Sequence, residues 1–215
     1  MRGLEFVAVV IFSYLVGSIP CGLVVGKIRG VDVREYGSGK TGATNILRTV
    51  GVGAGAIVLI CDLAKGVAAV LFARFLLHAP IAEMVAALVA IVGHNWPIYA
   101  RFRGGRGVST SLGGLLAMSP LVTLGSAVVG VVAIGISRYV SLGSVLGATT
   151  ALLLMMVLTI LGREPWPYLV YTLVGAPLII LQHRDNIARI WAGTERKLGQ
   201  RAERQTNPSS GENKG

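Results

Sequence analysis

The uncharged stretch GVSTSLGGLLAMSPLVTLGSAVVGVVAIGIS, residues 107–137, decides between two folds. As one helix, its 31 residues would measure about 46 Å at 1.5 Å per residue, against a hydrocarbon core of about 30 Å. It is therefore one steeply tilted helix or two short ones that turn at Met118-Ser119-Pro120, and the choice inverts the orientation of everything downstream. Charge bias arbitrates, because cytoplasmic loops are enriched in Lys and Arg. With two helices there are seven spans, near 4–26, 53–77, 80–93, 107–118, 120–137, 140–161 and 166–181, and one side receives 16 of the 20 cations. With one helix the split is nine against ten, which is no bias. The sequence thus predicts an all-α, polytopic membrane protein of about seven spans, with its amino terminus outside and its carboxyl terminus cytoplasmic.

Composition points the same way: 53% of the 215 residues are hydrophobic and 14% charged, where a soluble domain has about a quarter charged. Phe6 to Gly26 carries no charge and is too long for a signal-peptide core; it has no A-x-A site, and Pro20 before Cys21 breaks a lipoprotein pattern. Cys21 and Cys61 sit in apolar runs as small hydrophobes. His78, His94 and His183 share no metal-ligand spacing, so no metal is expected. The net charge of +10 lies on predicted cytoplasmic loops, where positive-inside bias and anionic lipid account for it without nucleic acid. No internal repeat of the kind found in many secondary transporters is visible. A single transmembrane domain is expected over 1–198, followed by a polar tail, 199–215, expected to be disordered.

Three polar segments fall on the predicted cytoplasmic face: EYGSGKTGATNILRTVG (35–51), GHNWPIYARFRGGRGVST (93–110) and QHRDNIARIWAGTE (182–195), with SRYVSLGS (137–144) between the last two. GSGKT resembles a Walker loop, but Arg34 stands where the first glycine of that motif belongs. In the first segment, Gly37, Gly39 and Gly42 let the backbone turn its amides toward one point. Ser38, Thr41 and Thr44 add hydroxyls, and Arg48 adds a cationic fork. The second segment repeats this logic with Arg103-Gly104-Gly105-Arg106-Gly107, where Gly107 can open a helix whose amino end favours anions. Two anion cradles suggest two phosphates. His183, Asn186 and Arg189 are spaced for one helical face. His94 reads first as a structural hydrogen-bonder at a helix end. Asp62 and Lys65, at i and i+3 within a span, are either an ion pair joining helices or a site charge contributed by Lys65.

In order and spacing, GSGKTGATNILRTVG, DLAKG, GHNWPIYARFRGGRGVST, SRYVSLGS and HRDNIARIWAGTE resemble the bacterial membrane glycerol-3-phosphate acyltransferases that use acyl phosphate, the PlsY family. The similarity runs from GSIP (17–20) to about Glu195. It implies a seven-span protein of the bacterial inner membrane with a site facing the cytosol. The implied reaction moves an acyl group from acyl phosphate to the sn-1 hydroxyl of glycerol-3-phosphate, giving lysophosphatidic acid and phosphate without a cofactor. It further implies catalytic or substrate-binding positions at Ser38, Arg48, Ser141, His183 and Asn186 and in the basic second motif; in the first motif Gly39, Lys40, Thr41, Gly42, Thr44 and Asn45 are taken as phosphate-binding. Glu195 matches an acidic position of the last motif. Lys40 stands where the family commonly has Asn, and Arg103 and Arg106 where it has lysines, which changes the phosphate geometry because Arg is a planar fork and Lys a movable point charge.

Acyl phosphate is a mixed anhydride, so positioning and charge stabilisation suffice and no covalent intermediate is needed. The expected roles are phosphate binding by Arg48, the first loop and Arg103/Arg106, orientation of the glycerol by Ser141 and Asn186, and bonding or protonation near a phosphate by His183. The H-x-x-x-x-D pair of soluble-type acyltransferases is absent: the fifth residues after the three histidines are Glu83, Tyr99 and Ala188. The competing class is a membrane transporter of an organic phosphate, which would use the same cradles but needs access from both faces.

Overall fold

The structure, a computed structural model, describes residues 2–205, and for Arg2 the backbone alone. Ten α-helices follow one another: α1 (Arg2–Gly17), α2 (Cys21–Ile28), α3 (Ala43–Thr49), α4 (Val52–Leu77), α5 (Pro80–Asn95), α6 (Val108–Met118), α7 (Pro120–Ser137), α8 (Val140–Ile160), α9 (Trp166–Gln182) and α10 (Arg184–Trp191). Among the described residues there is no strand beyond an isolated antiparallel bridge between Tyr36 and Arg204. Five stretches are long and apolar enough to cross a membrane: Gly3–Ile28, Val52–Leu77, Pro80–Ala100, Pro120–Ser137 and Val140–Ile160. Val108–Met118 and Trp166–Gln182 are shorter apolar helices.

The deciding stretch is two helices, broken at Ser119. Pro120 starts α7 because a helix tolerates proline in its first turn, where the missing N–H has no partner to lose. At 11 residues, α6 is about 16 Å long, roughly half the thickness of a hydrocarbon core. Its last carbonyls consequently need partners other than water. Arg74 of α4 supplies one, donating from Nη2 to the Ala117 carbonyl (2.7 Å) while Nε and Nη2 hold the buried Glu83 of α5 (3.0 and 2.6 Å). Tyr168 of α9 donates to the same carboxylate (2.7 Å), and Ser119 donates to Glu164 (2.6 Å). The first span is broken too, between α1 and α2 at Ser18-Ile19-Pro20, and there Lys65 of α4 donates to the Ile19 carbonyl (3.1 Å).

Helix α4 packs against α1, α5 and α6; α7 packs on α8, α8 on α9, and α9 on α5. Its approach to α6 is close: a Cβ on Gly66 would strike the Thr110 carbonyl, and one on Gly113 the Leu63 carbonyl. Small residues at such crossings let helix backbones touch where lipid offers no hydrophobic drive. A buried cluster including Val70, Ile91, Leu115, Met155 and Tyr171 fills the bundle near these crossings.

The polar segments meet at one end. Thr41 N–H reaches the Gly104 carbonyl (3.5 Å), Arg106 Nε donates to the Gln182 carbonyl (3.1 Å), and Leu198 N–H to that of Arg138 (2.7 Å). The expectation of a disordered tail from 199 does not match residues 199–205. Ala202 N–H donates to the Arg48 carbonyl (3.0 Å) and Gln205 N–H to that of Glu35 (2.8 Å), because loop 35–48 presents backbone carbonyls that no helix satisfies. The rest of that tail, 206–215, lies outside the described residues.

Arg74→Met leaves Glu83 buried beside Tyr168 without its cation. It should lower stability by about 3 kcal/mol, seen as a fall in the unfolding midpoint in detergent, and adding Glu83→Leu should recover part of the loss. An unchanged midpoint in Arg74→Met would contradict the capping role.

Candidate active site

A cavity of about 490 Å³ opens at the end where the polar segments gather. Its polar wall carries Ser38, Lys40, Gly42, Thr44, Asn45, Arg48, Arg106, Gly107, Ser141, His183, Asn186 and Glu195. Four separate stretches of sequence are thus brought together on one space. Gly107, at φ +83°, forms the N-cap of α6 as expected, and Val108 and Ser109 of the first turn line the cavity beside it. The free N–H groups of such a turn favour an anion.

The other wall is apolar. Gly55, Ala56 and Leu59 of α4 face Ala127, Gly130 and Val131 of α7 and Gly147, Ala148 and Ala151 of α8 across it. Leu59 and Val131 are exposed on the outside of the bundle, so this part of the cavity is open sideways between α4 and the α7–α8 pair.

Several predicted site residues lie elsewhere. Arg103 is exposed and outside the cavity wall. Gly104 and Gly105 are buried behind it, where a Cβ on Gly105 would strike the His94 imidazole and one on Gly104 the His94 carbonyl; they allow the loop to lie on His94. Gly39, at φ +67°, and the buried Thr41 shape the first loop from behind. Asn45 touches the cavity, but its amide is occupied in holding that loop, donating to the carbonyls of Val33 (3.0 Å), Tyr36 (3.1 Å) and Lys40 (2.9 Å). Lys65 is paired with Asp62 (2.9 Å) and bonded to Ile19, away from the cavity wall, so the ion-pair alternative describes it. Asp62 and His94 themselves reach the wall.

The last polar segment forms a tight network around Glu195. Oε1 accepts from Ser141 Oγ (3.0 Å) and Asn186 Nδ2 (2.6 Å), and Oε2 from Arg189 Nε (2.8 Å). Burial pushes this carboxyl up, but the bonds from Asn186, Arg189 and Ser141 outweigh it and hold Glu195 below its ordinary range. Glu195, whose role the sequence left open, therefore orients both Ser141 and Asn186. With Nδ2 fixed on the carboxylate, Asn186 Oδ1 is a buried acceptor with no partner among the described residues, and Arg48 Nε is a buried donor in the same condition.

Cations outnumber anions here. Burial pushes Lys40, Arg48 and Arg106 below their ordinary values; Arg106 repels Lys40, Arg189 repels Arg106, and Glu195 opposes the shift on Arg48. His183 Nδ1 donates to the Ile179 carbonyl (2.8 Å), since a carbonyl only accepts, which leaves Nε2 as an acceptor on a neutral ring. Burial lowers its pKa to about 4, opposed by the Ile179 bond and reinforced by Arg106. A protonating role for His183 does not fit this setting; hydrogen-bond acceptance does. Among the described residues no group of three or more His, Cys, Asp or Glu is placed to hold a metal ion.

Glu195 and the α7–α8 slot are what reading the residues missed. Gly143-x-x-x-Gly147 was a signal for one side of that slot, the close packing of α8 on α7, where a Cβ on Gly147 would meet the Ser126 carbonyl at 3.1 Å.

A family model described as glycerol-3-phosphate acyltransferase matches residues 7–193. Glycerol-3-phosphate acyltransferase 2 of Moorella thermoacetica is 47% identical over 193 residues, covering 89% of this chain and 97% of the relative. Glycerol-3-phosphate acyltransferase 3 of Dehalococcoides mccartyi is 42% identical over 212 residues, covering 92% and 98%. Crystal structures of PlsY (YgiH), an integral membrane glycerol 3-phosphate acyltransferase, are similar in its glycerol 3-phosphate form (TM-score 0.84, 37% identity, 90% of this chain and 96% of that one). Its lysophosphatidic acid form gives a TM-score of 0.81 at the same identity, over 90% and 95%.

Because His183 has a folded pKa of about 4 against an ordinary 6.5, the unfolded chain binds its proton first. The stability His183 contributes is whole above pH 6.5 and is lost as pH falls from 6.5 toward 4. Nitrogen-15 NMR of labelled histidine at pH 6 should find His183 neutral with the proton on Nδ1; an imidazolium signal there would overturn the assignment.

Proposed function

The chain belongs to the glycerol-3-phosphate acyltransferase family, and we propose that it transfers a fatty acyl group from acyl phosphate to the sn-1 hydroxyl of glycerol-3-phosphate. Lysophosphatidic acid and phosphate are the products. The observation that carries this reading is one continuous cavity with a cationic end at Lys40, Arg48 and Arg106 and an apolar end open toward lipid between α4 and α7–α8. An acyl phosphate has those two ends. The second phosphate, on glycerol, is assigned to Arg48, since the cations at this end exceed the carboxylates that reach the wall, Glu195 and the Asp62 already paired with Lys65.

In this reading the buried Arg48 Nε and the first turn of α6 donate to phosphate oxygens, with Lys40, Arg106, Ser38 and Thr44 around them. Asn186 Oδ1, His183 Nε2 and Ser141 Oγ align the glycerol hydroxyls, the first and last held by Glu195. The hydroxyl oxygen attacks the acyl carbonyl carbon, the bond from that carbon to the phosphate oxygen breaks, and the leaving phosphate takes the hydroxyl proton. The cations stabilise the charge that grows on the departing phosphate. No side chain needs to become covalently linked, and no cofactor is required.

The same reading places the cavity at the cytoplasmic face of the bacterial inner membrane. It is supported by the 16 of 20 cations that the seven-span arrangement assigns to the end where the polar segments meet, which makes α6 and α9 the two shorter spans and puts the amino terminus outside.

Purified protein in detergent, given glycerol-3-phosphate with acyl phosphate or, in parallel, with acyl-CoA, should release phosphate and form lysophosphatidic acid from acyl phosphate alone. Arg106→Gln should lower kcat/KM on the order of a hundredfold. Absence of product from both donors in a folded sample would reject the acyltransferase reading and favour a transporter of organic phosphate.

A further inference from the structure

Residues 196–205 run as a strap from the turn before α8, past the cavity wall at Leu198, to the first loop, beyond residue 193 where the family model ends. Each of its contacts falls on the first phosphate loop, on Arg48 or on the turn before α8. Arg48 Nη2 donates to the Arg196 carbonyl (2.7 Å), and the Arg48 carbonyl accepts from Ala202 N–H (3.0 Å), so the strap holds this residue by both side chain and backbone. The Glu203 backbone carbonyl accepts from Gly37 N–H (3.0 Å), Gln205 donates from its side chain to the Gly37 carbonyl (3.2 Å), and Arg204 pairs with Glu35 (2.8 Å). A Cβ on Gly37 would come within 3.0 Å of that of Ala202, so strap and loop are in direct contact. At the other edge, Leu198 lines the cavity and is bonded to Arg138 through both its N–H (2.7 Å) and its carbonyl (2.9 Å).

We propose that this strap is a positioning element for the soluble substrate: it fixes Arg48 and the loop around Gly37 in the conformation that binds the phosphate of glycerol-3-phosphate. The inference rests on the acyltransferase reading above. Arg48 turns one donor to the strap and keeps another, Nε, buried at the cavity wall without a partner. Its guanidinium plane is therefore set by the Arg196 carbonyl before any ligand arrives, which lowers the ordering cost of binding. The strap lies on the water side, with Glu203, Arg204 and Gln205 exposed, whereas the slot for an acyl chain lies on the lipid side between α4 and α7–α8. Loosening it must therefore affect the substrate that arrives from water more than the one that arrives from lipid.

Two full-length variants test this. Ala202→Pro removes the N–H that the Arg48 carbonyl accepts. Arg204→Glu sets a like charge against Glu35, and adding Glu35→Arg restores an opposite pair. Ala202→Pro should raise KM for glycerol-3-phosphate about fivefold, the effect of one lost hydrogen bond, with kcat and KM for acyl phosphate within about twofold of the native chain. Arg204→Glu should raise the same KM, and the double variant should bring it back. An unchanged glycerol-3-phosphate KM in both single variants overturns the proposal. So does a parallel loss in kcat and both KM values with a lowered unfolding midpoint, since that marks a merely structural contact. If Ala202→Pro fails to fold, the charge pair decides, because both of its side chains are exposed. If the native chain itself forms no product, the acyltransferase reading fails separately. The strap is then read by calorimetric binding of inorganic phosphate, which the same variants must weaken.

Discussion

Inside a bilayer every backbone donor and acceptor needs a partner within the protein, and this structure depends on how that requirement is met at two helix breaks. Helix α4 carries both solutions. Lys65 reaches back to the Ile19 carbonyl at the α1–α2 break, and Arg74, nine residues on, reaches the Ala117 carbonyl at the α6 end. Each cation is itself neutralised by a buried carboxylate, Asp62 for Lys65 and Glu83 for Arg74. Without these pairs, an 11-residue helix ending among apolar neighbours would leave carbonyls exposed to lipid. With them, α6 can be short, and its amino end at Gly107 sits on the cavity wall beside Arg106.

The site follows from that placement. The first loop reaches the second through Thr41 and Gly104, and the second lies on His94, whose Nδ1 is 3.5 Å from Asp62. The polar framework of α4 and α5 is thereby continuous with the cationic wall of the cavity. On that wall burial lowers the hold of Lys40, Arg48 and Arg106 on their protons, and neighbouring cations add to it: Arg106 beside Lys40, Arg189 and Arg48 beside Arg106, Arg196 and Arg189 beside Arg48. Such a cluster is stabilised by anions. Glu195 meets part of this need, but its oxygens are taken by Ser141, Asn186 and Arg189, which leaves the greater part unmet by the protein's own carboxylates.

Much of this was legible in the sequence. The turn at Met118-Ser119-Pro120 was visible because proline cannot continue a helix and because only a break there sorts the cations. The α10 face of Asn186 and Arg189 followed from helical spacing, and both residues meet at Glu195. What was not legible depended on contacts between distant segments. A glycine-rich loop reads as a nest whether its glycines face a ligand or a neighbour, so Gly104 and Gly105, which serve to clear His94, looked like Gly107, which caps a helix at the cavity. Arg103 and Arg106 read alike by composition, and only the fold turns one outward and the other inward. The segment 199–205 has the composition of a disordered tail; its order comes from carbonyls in loop 35–48 that no local pattern advertises.

In the proposed reaction one cavity holds both phosphate-bearing substrates at once and joins them directly. Initial rates measured over a grid of acyl phosphate and glycerol-3-phosphate concentrations test it without perturbing the protein. The double-reciprocal lines should intersect, since both substrates must be bound before the acyl group moves. Parallel lines would mean that phosphate leaves before glycerol-3-phosphate binds, and an acylated enzyme of that kind would contradict it.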